Sequence, residues 1–154
     1  MDIGDFVISK DAIYHDFDCQ VINPNYTVGQ VPGMSVRAFP ADEILIHYAF
    51  LAAEAQNAGH SRIGTVASGD QFVCMTEQKQ KIVGNTGALC TEMEGAAIAH
   101  AAWRNHVPFV VIRAISDKAD DSAQMEYPVF EAIAANACAQ VIIKLAQFLQ
   151  ESDV

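Results

Sequence analysis

The sequence VPFVVIRAISD, residues 107–117, is the stretch that decides the fold class. Its apolar, β-branched part, 109–112, predicts a buried strand, and it ends in the polar pair Ser116 and Asp117. An alanine-rich segment over 92–105 precedes it and predicts a helix. An apolar stripe over 127–150 follows it and predicts the last helix. Helix, strand and helix therefore alternate around this stretch.

The same alternation extends towards the N-terminus. Further strands are predicted at 6–9, 12–14, 63–67 and 88–90, and further helices at 41–57 and 76–83. A turn at Lys10 and Asp11 separates the first two strands, and the prolines and glycines of 23–40 favour an irregular loop. Alternating strands and helices predict a layered α/β fold with a mostly parallel centre. No linker or repeat divides the chain, so a single domain is expected over 1–154.

Composition excludes several classes of function. The chain has 154 residues, of which 51% are hydrophobic and 18% charged, which is typical of a globular protein. Nine Lys and Arg against 19 Asp and Glu give a net charge of −10, which repels phosphate backbones and anionic lipid, so neither a nucleic acid nor a membrane is expected as a partner. The four cysteines lack metal-ligand spacing and the first residues do not resemble a secretory signal, which predicts a cytoplasmic protein with reduced thiols and no metal.

Three polar segments follow predicted strands: 68–72, 91–94 and 116–117. In open α/β sheets, ligands bind beyond the carboxyl ends of the strands. The three segments therefore predict one ligand pocket at one rim of the sheet. No Walker, GxGxxG, GxSxG or HExxH motif is present, so phosphate-loop, dinucleotide, serine-hydrolase and zinc-protease functions have no support.

Several of these residues have a structural interpretation beside the functional one. Thr91 and Glu94 have capping-box spacing at a helix start, but carboxylates there also suit binding of paired sugar hydroxyls. Asp117 is either a turn aspartate or a partly buried carboxyl that donates a proton, and the residues alone leave both open. Phe72 is either a core residue or a surface on which a flat ligand stacks.

The longest of these motifs also carry a family resemblance. They are VASGDQF at 66–72, TEMEGAAIAH at 91–100 and VPFVVIRAISDKAD at 107–120, extended by GDFVIS at 4–9 and YHD at 14–16. Over essentially the whole chain, these residues resemble the 5′-methylthioadenosine/S-adenosylhomocysteine nucleosidases of the purine nucleoside phosphorylase-like superfamily. The resemblance implies a three-layer α/β/α fold with a central mixed sheet. It also implies a cytoplasmic homodimer without a cofactor, which hydrolyses the N-glycosidic bond of either nucleoside to adenine and a thioribose product in methionine salvage.

The resemblance assigns roles to individual residues. Asp117 would protonate N7 of adenine, and Glu94 would bind the ribose hydroxyls and offset the positive charge of an oxocarbenium-like transition state. Phe72 would stack on adenine, Val73 would bind the base through its backbone, and Met93 would pack under the ribose. The remaining substrate-binding residues would be Glu92, Ser116, Tyr127, Val21, Tyr26 and Pro32. The last four would lie on the alkylthio side, with Pro32 reaching across from the second subunit and Pro24 replacing the phenylalanine that is usual in the family.

The resemblance also implies that this chain corresponds to the C-terminal portion of the family's chains. The glutamate that activates the attacking water is then expected outside it, and the isolated chain is expected to be inactive. Two other functions stay open. A nucleoside phosphorylase would need a phosphate site, and none of the four arginines lies in an evident glycine-rich cradle. A non-catalytic remnant that binds adenine nucleosides or merely dimerises is the second.

Overall fold

One long strand organises the protein, because every other strand but one pairs with it directly. A computed structural model describes residues 1–57, 59–119 and 123–152, without the side chains of 123–129. In chain order the elements are β1 Phe6–Tyr14, β2 Phe39–Pro40, α1 Glu43–Gln56, β3 Ser61–Ser68, α2 Thr76–Thr86, β4 Cys90–Glu92, α3 Gly95–Arg104, β5 Ile112–Ala114 and α4 Ala123–Glu151.

The sheet is mixed. Strand β1 pairs with β3 in parallel, and β3 pairs with β4 in parallel, with α1 and α2 as the crossover helices. Strands β2 and β5 both run antiparallel to β1. The mixed sheet implied by the family resemblance is therefore confirmed, and so is the mostly parallel centre that the alternation predicts, because β1, β3 and β4 are all parallel.

Helices cover the sheet in two layers. Helices α1 and α4 pack together over Phe6 and Ile8 of β1, in a cluster that includes Val141 and Leu145. Helix α3 packs against β1, β2 and β3, around Ala12. The expected three-layer α/β/α architecture is confirmed.

Strand β1 is continuous where the sequence predicted two strands and a turn. Its register against β3 shifts between Ser9 and Asp11, so that Lys10 is an extra residue opposite no partner. This is a β-bulge, which accommodates the polar pair without ending the strand. The carbonyl of Lys10 accepts a hydrogen bond from the amide of Ala41 at 2.9 Å, so its backbone is bound by the segment that follows β2.

Three other elements have boundaries that differ from the predicted ones. Strand β4 lies two residues later than predicted, and α3 begins at Gly95 rather than at 92. Strand β5 also begins later than the predicted 109–112, because the residues before it make isolated hydrogen bonds. The carbonyl of Phe109 accepts from the amide of Asp42, and Val111 bonds both the amide and the hydroxyl of Ser9.

Helix α4 is also long and apolar enough to span a bilayer, by length and composition alone. The segment Phe130–Glu151 has a mean hydropathy of 1.5. Its buried residues Val141 and Leu145 nevertheless pack into the cluster around β1. We interpret α4 as a helix of the folded domain.

Replacing Gly29 by alanine is expected to lower the free energy of unfolding by about 1–3 kcal/mol. Gly29 has φ +90°, and a Cβ there would lie 2.6 Å from the carbonyl oxygen of Tyr14. The Gly33→Ala variant is the matched control, because Gly33 has φ +78° but nothing within 4 Å of its Cβ position. Urea unfolding of both variants separates backbone strain from the clash, and equal losses would contradict the role of the clash.

Candidate functional site

A pocket of about 320 Å³ lies between β4, helix α2 and the segment that follows β5. Its lining includes seven of the residues predicted from the sequence: Phe72, Val73, Glu92, Met93, Glu94, Ser116 and Asp117. The pocket therefore brings together residues from all three of the polar segments that follow predicted strands.

The reason for this proximity is not the one that the sequence suggested. Because β5 runs antiparallel to β1, its carboxyl end does not share a rim with the carboxyl ends of β3 and β4. The segment after β5 is instead bound to α2, where Lys79 Nζ donates to the carbonyl of Lys118 at 2.7 Å, and Ala119 packs near Ile82. Tertiary contacts therefore bring Asp117 to the pocket.

Glu92 is the most heavily bonded carboxylate in the pocket. Its side chain is only 9% exposed, and it accepts hydrogen bonds from Arg113 Nη2 and Ser68 Oγ. The amides of Glu94 and Gly95 also donate to it, the closer contact from Gly95 being 2.8 Å. Glu92 thus binds the first amides of α3, which have no partner within the helix.

The predicted capping box is wrong. Glu94 is the N-cap of α3 but makes no side-chain capping bond, and the Thr91 hydroxyl is buried without a hydrogen-bond partner. The amides that a capping box would bind are taken by Glu92 and, at Ala96, by Ser68. The side chain of Glu94 is therefore directed elsewhere.

Glu94 is oriented towards the pocket by Arg113. Its carboxylate is 63% exposed and accepts from Arg113 Nη2 at 2.8 Å. Burial lowers the pKa of Arg113, but the charges and hydrogen bonds of Glu92 and Glu94 raise it more, so the net pKa is raised. A charged guanidinium consequently orients this carboxylate, which can accept bonds from paired hydroxyls. Arg113 also pairs with Glu92.

Asp117 is half-buried and held in a turn. Ser116 Oγ donates to its Oδ2 at 3.0 Å, and the amide of Ala119 donates to its Oδ1 at 2.8 Å. A bond from the amide two residues later is the contact of an Asx turn. Asp117 is therefore a turn aspartate, and its carboxyl also lines the pocket.

Apolar side chains also line the pocket. Phe72 and Met93 line the pocket and are 45% and 42% exposed, whereas Val73 is buried. An exposed aromatic ring in a pocket can stack on a flat ligand. The sulfur and methylene groups of Met93 add an adaptable apolar contact.

The remaining predicted site residues do not line this pocket within the described part of the chain. Val21 is 98% exposed, Pro32 is exposed and Tyr26 is half-buried, all in the loop between β1 and β2. The side chain of Tyr127 lies outside the described residues. Their roles stay predictions.

The sequence places Ser68 in the polar segment 68–72 but assigns it no role, whereas in the structure it ends β3 and bonds both Glu92 and the amide of Ala96. A serine at the last strand position before Gly69 was the available signal. Sequence reasoning also missed that the half-buried Cys90 lines the pocket, where partial burial, followed by the charge of Glu92, raises the pKa of its thiol to about 12. Among the described residues, no group of three His, Cys, Asp or Glu could hold a metal ion.

Comparisons with known proteins show the family and the fold of this chain. A family model described as the phosphorylase superfamily matches residues 1–147. The 5′-methylthioadenosine/S-adenosylhomocysteine nucleosidase of Staphylococcus aureus (strain MRSA252) is 37% identical over 150 residues, which cover 97% of this chain and 64% of the relative.

Two solved structures have the same fold. The nucleosidase of Neisseria meningitidis in complex with methylthio-immucillin-A is 34% identical, with a TM-score of 0.90 over 97% of this chain and 64% of that one. The futalosine hydrolase of Helicobacter pylori strain 26695 is 31% identical, with a TM-score of 0.89 over 97% and 62%. The chain thus spans less than two thirds of the length of each relative. From its sequence and its fold, the chain belongs to the phosphorylase superfamily.

Proposed function

We propose that this chain carries the adenine- and ribose-binding half of an N-ribosyl hydrolase that acts on 5′-methylthioadenosine and S-adenosylhomocysteine. The observation that carries the proposal is one pocket that joins Asp117, Glu94 and Phe72. The carboxyl of Asp117, held in a turn, suits protonation of the leaving base. The carboxylate of Glu94, oriented by a cation, suits the ribose, and the exposed ring of Phe72 suits a purine. The names of the relatives from Staphylococcus aureus and Neisseria meningitidis support the substrate class.

Asp117 acts on the leaving base in this proposal. Cleavage of the bond between C1′ of the ribose and N9 of adenine leaves the electron pair on the base, which is a poor leaving group as an anion. Protonation of N7 by Asp117 lets the base leave as neutral adenine. The bonds from Ser116 Oγ and the Ala119 amide hold the carboxyl in place for this transfer.

Glu94 acts on the sugar. As the bond to the base breaks, positive charge develops on the ribose ring, and water then forms the new bond to C1′. A carboxylate that accepts bonds from the ribose hydroxyls stabilises this charge. Arg113 holds Glu94 in position and at the same time compensates the buried charge of Glu92.

The finer features of the family resemblance belong to the same proposal. The protein acts in methionine salvage in the cytoplasm as a homodimer, without a metal or cofactor. Ser116 lies beside the base, and Val21, Tyr26, Pro32 and Tyr127 bind the alkylthio group, Pro32 from the second subunit. The exposure of Val21 and Pro32 in a single chain is compatible with burial between two copies.

The function is tested by following free adenine chromatographically after 5′-methylthioadenosine is added, with and without phosphate. Hydrolysis requires a product ribose without phosphate and a rate independent of phosphate. Adenine release that depends on phosphate would instead identify a phosphorylase. Binding of the nucleoside with no release under either condition, and none when azide is supplied as the nucleophile, would favour the non-catalytic alternative.

Replacing Glu94 by glutamine is expected to weaken the binding of 5′-methylthioadenosine about tenfold, because a charge-assisted bond to the ribose is lost. The 2′-deoxy analogue already lacks one of the hydroxyls, so it is expected to lose much less on the same substitution. Calorimetric titration of both ligands into both proteins measures this coupling. Glu43→Gln, at the exposed start of α1, is the control. Simple additivity would show that Glu94 does not bind the ribose.

A further inference from the structure

Ser68 occupies a junction between the sheet and the helix that carries Glu94. It is the last residue of β3, and only 1% of it is exposed. Its Oγ accepts a hydrogen bond from the amide of Ala96 at 2.6 Å and donates one to Glu92 Oε1. A serine hydroxyl has one proton to donate, and here that proton is committed to the carboxylate.

A continuous set of bonds leads from this hydroxyl to the pocket. Glu92 binds Arg113 Nη2 through its other oxygen, and the same Nη2 donates to Glu94 at 2.8 Å. The amide of Gly95 also donates to Glu92, at 2.8 Å. Glu92 therefore accepts hydrogen bonds from the Ser68 hydroxyl, from Arg113 and from the first turn of α3. Glu94 is the N-cap of that helix and also accepts from Arg113.

We infer that Ser68 is a positioning residue for recognition of the ribose, an inference that rests on the proposed function. Its hydroxyl holds the Glu92 carboxylate and the first turn of α3 in one arrangement, and this arrangement directs Glu94 to the sugar hydroxyls. The position needs a group that both donates and accepts. Alanine supplies neither bond, whereas threonine supplies both.

Ser68→Ala is expected to weaken the binding of 5′-methylthioadenosine about tenfold, since the Ala96 amide loses its partner and Glu92 loses one of its donors, so that both carboxylates can rearrange. Free adenine has no ribose for Glu94 to bind, so its affinity is expected to change less than about twofold, which is smaller than the usual effect of losing one hydrogen bond. Ser68→Thr is expected to keep the wild-type ratio of the two dissociation constants. If Ser68 had a merely structural role, Ser68→Ala would weaken the binding of both ligands alike.

Gly95→Ala tests the same network without altering the serine. A Cβ at Gly95 would lie 2.9 Å from Glu92 Oε1, so the carboxylate must move. The same selective loss for the nucleoside is expected. Gly84→Ala, in α2, is the matched control, because nothing lies within 4 Å of its Cβ position and the ratio is expected to stay unchanged.

Calorimetric titration of the 154-residue chain with each ligand decides between these outcomes. If Ser68→Ala and Gly95→Ala reduce both affinities equally, or leave both unchanged, the inference is overturned while the proposed function stands. If Ser68→Ala does not fold, Gly95→Ala carries the test alone. If the wild-type chain binds neither adenine nor 5′-methylthioadenosine, the proposed function fails, and the inference fails with it.

Discussion

Asp117→Asn is expected to slow the release of adenine from 5′-methylthioadenosine by about 10²–10⁴-fold, which is the usual contribution of a general acid. Asparagine has no proton to give to N7 of the base. Its amide oxygen can still accept the bond from the Ala119 amide that now holds Asp117 Oδ1. We therefore expect the turn and the affinity for the nucleoside to be retained while the rate falls.

Single-turnover adenine release, with the protein in excess over the nucleoside, measures this loss even when the wild-type rate is low. The matched control is Asp18→Asn, because Asp18 is exposed and its carboxylate accepts a bond from the amide of Gln20, again two residues later. Asp18→Asn is expected to leave the rate unchanged. A rate above about one tenth of wild type for Asp117→Asn would remove this residue from the mechanism.

The second expected result is that the 154-residue chain, by itself, binds the nucleoside but releases adenine at least about 10²-fold more slowly than an ordinary enzyme with a turnover of 1–10³ s⁻¹. Hydrolysis needs a group that activates water as well as an acid for the leaving base. Among the described residues that line the pocket, the carboxylates are Glu92, Glu94 and Asp117. Glu92 is fully bonded, Glu94 is assigned to the ribose and Asp117 to the base.

Sodium azide provides the test, because azide attacks C1′ without having to lose a proton. Adenine release by the wild-type chain is expected to increase with azide concentration, with a ribosyl azide as the second product. Asp117→Asn is expected to respond far less, since the base still leaves without its proton. An ordinary turnover rate in the absence of azide would show that the described pocket already activates water.

Much of the fold could be predicted because its signals are local. Helix α1 follows from its apolar spacing and begins where Asp42 accepts the amides of Ile44 and Leu45. Helix α2 ends at Gly87, whose φ of +67° suits a residue without a Cβ. Each of these helices depends on residues only a few positions apart, so its pattern can be recognised in the sequence without knowing the tertiary contacts.

The direction of β5 could not be predicted in the same way. An apolar strand between two helices is typical of a parallel sheet, yet Ile112–Ala114 pairs antiparallel with the start of β1. Strand direction depends on which partner is available across the sheet, and no pattern within 109–117 encodes that partner. Asp117 and Glu94 therefore lie at one pocket because of the contacts between α2 and the segment after β5, and not because their strands end at the same rim.

The sequence alone determined which residues are candidates for the pocket. Phe72, Glu94 and Asp117 each follow an apolar or strand-forming segment, at the point where the chain leaves the hydrophobic core. Only the tertiary structure decided their partners. Ser68 and Glu92 are 24 positions apart, and Arg113 is 21 positions from Glu92, so their bonds exist only once β3, β4 and β5 are assembled. In that assembly Glu92 is nearly buried, and a buried carboxylate requires a cation and hydrogen bonds around it. The three-dimensional arrangement thereby commits Glu92 to the fold and leaves Glu94 facing the pocket.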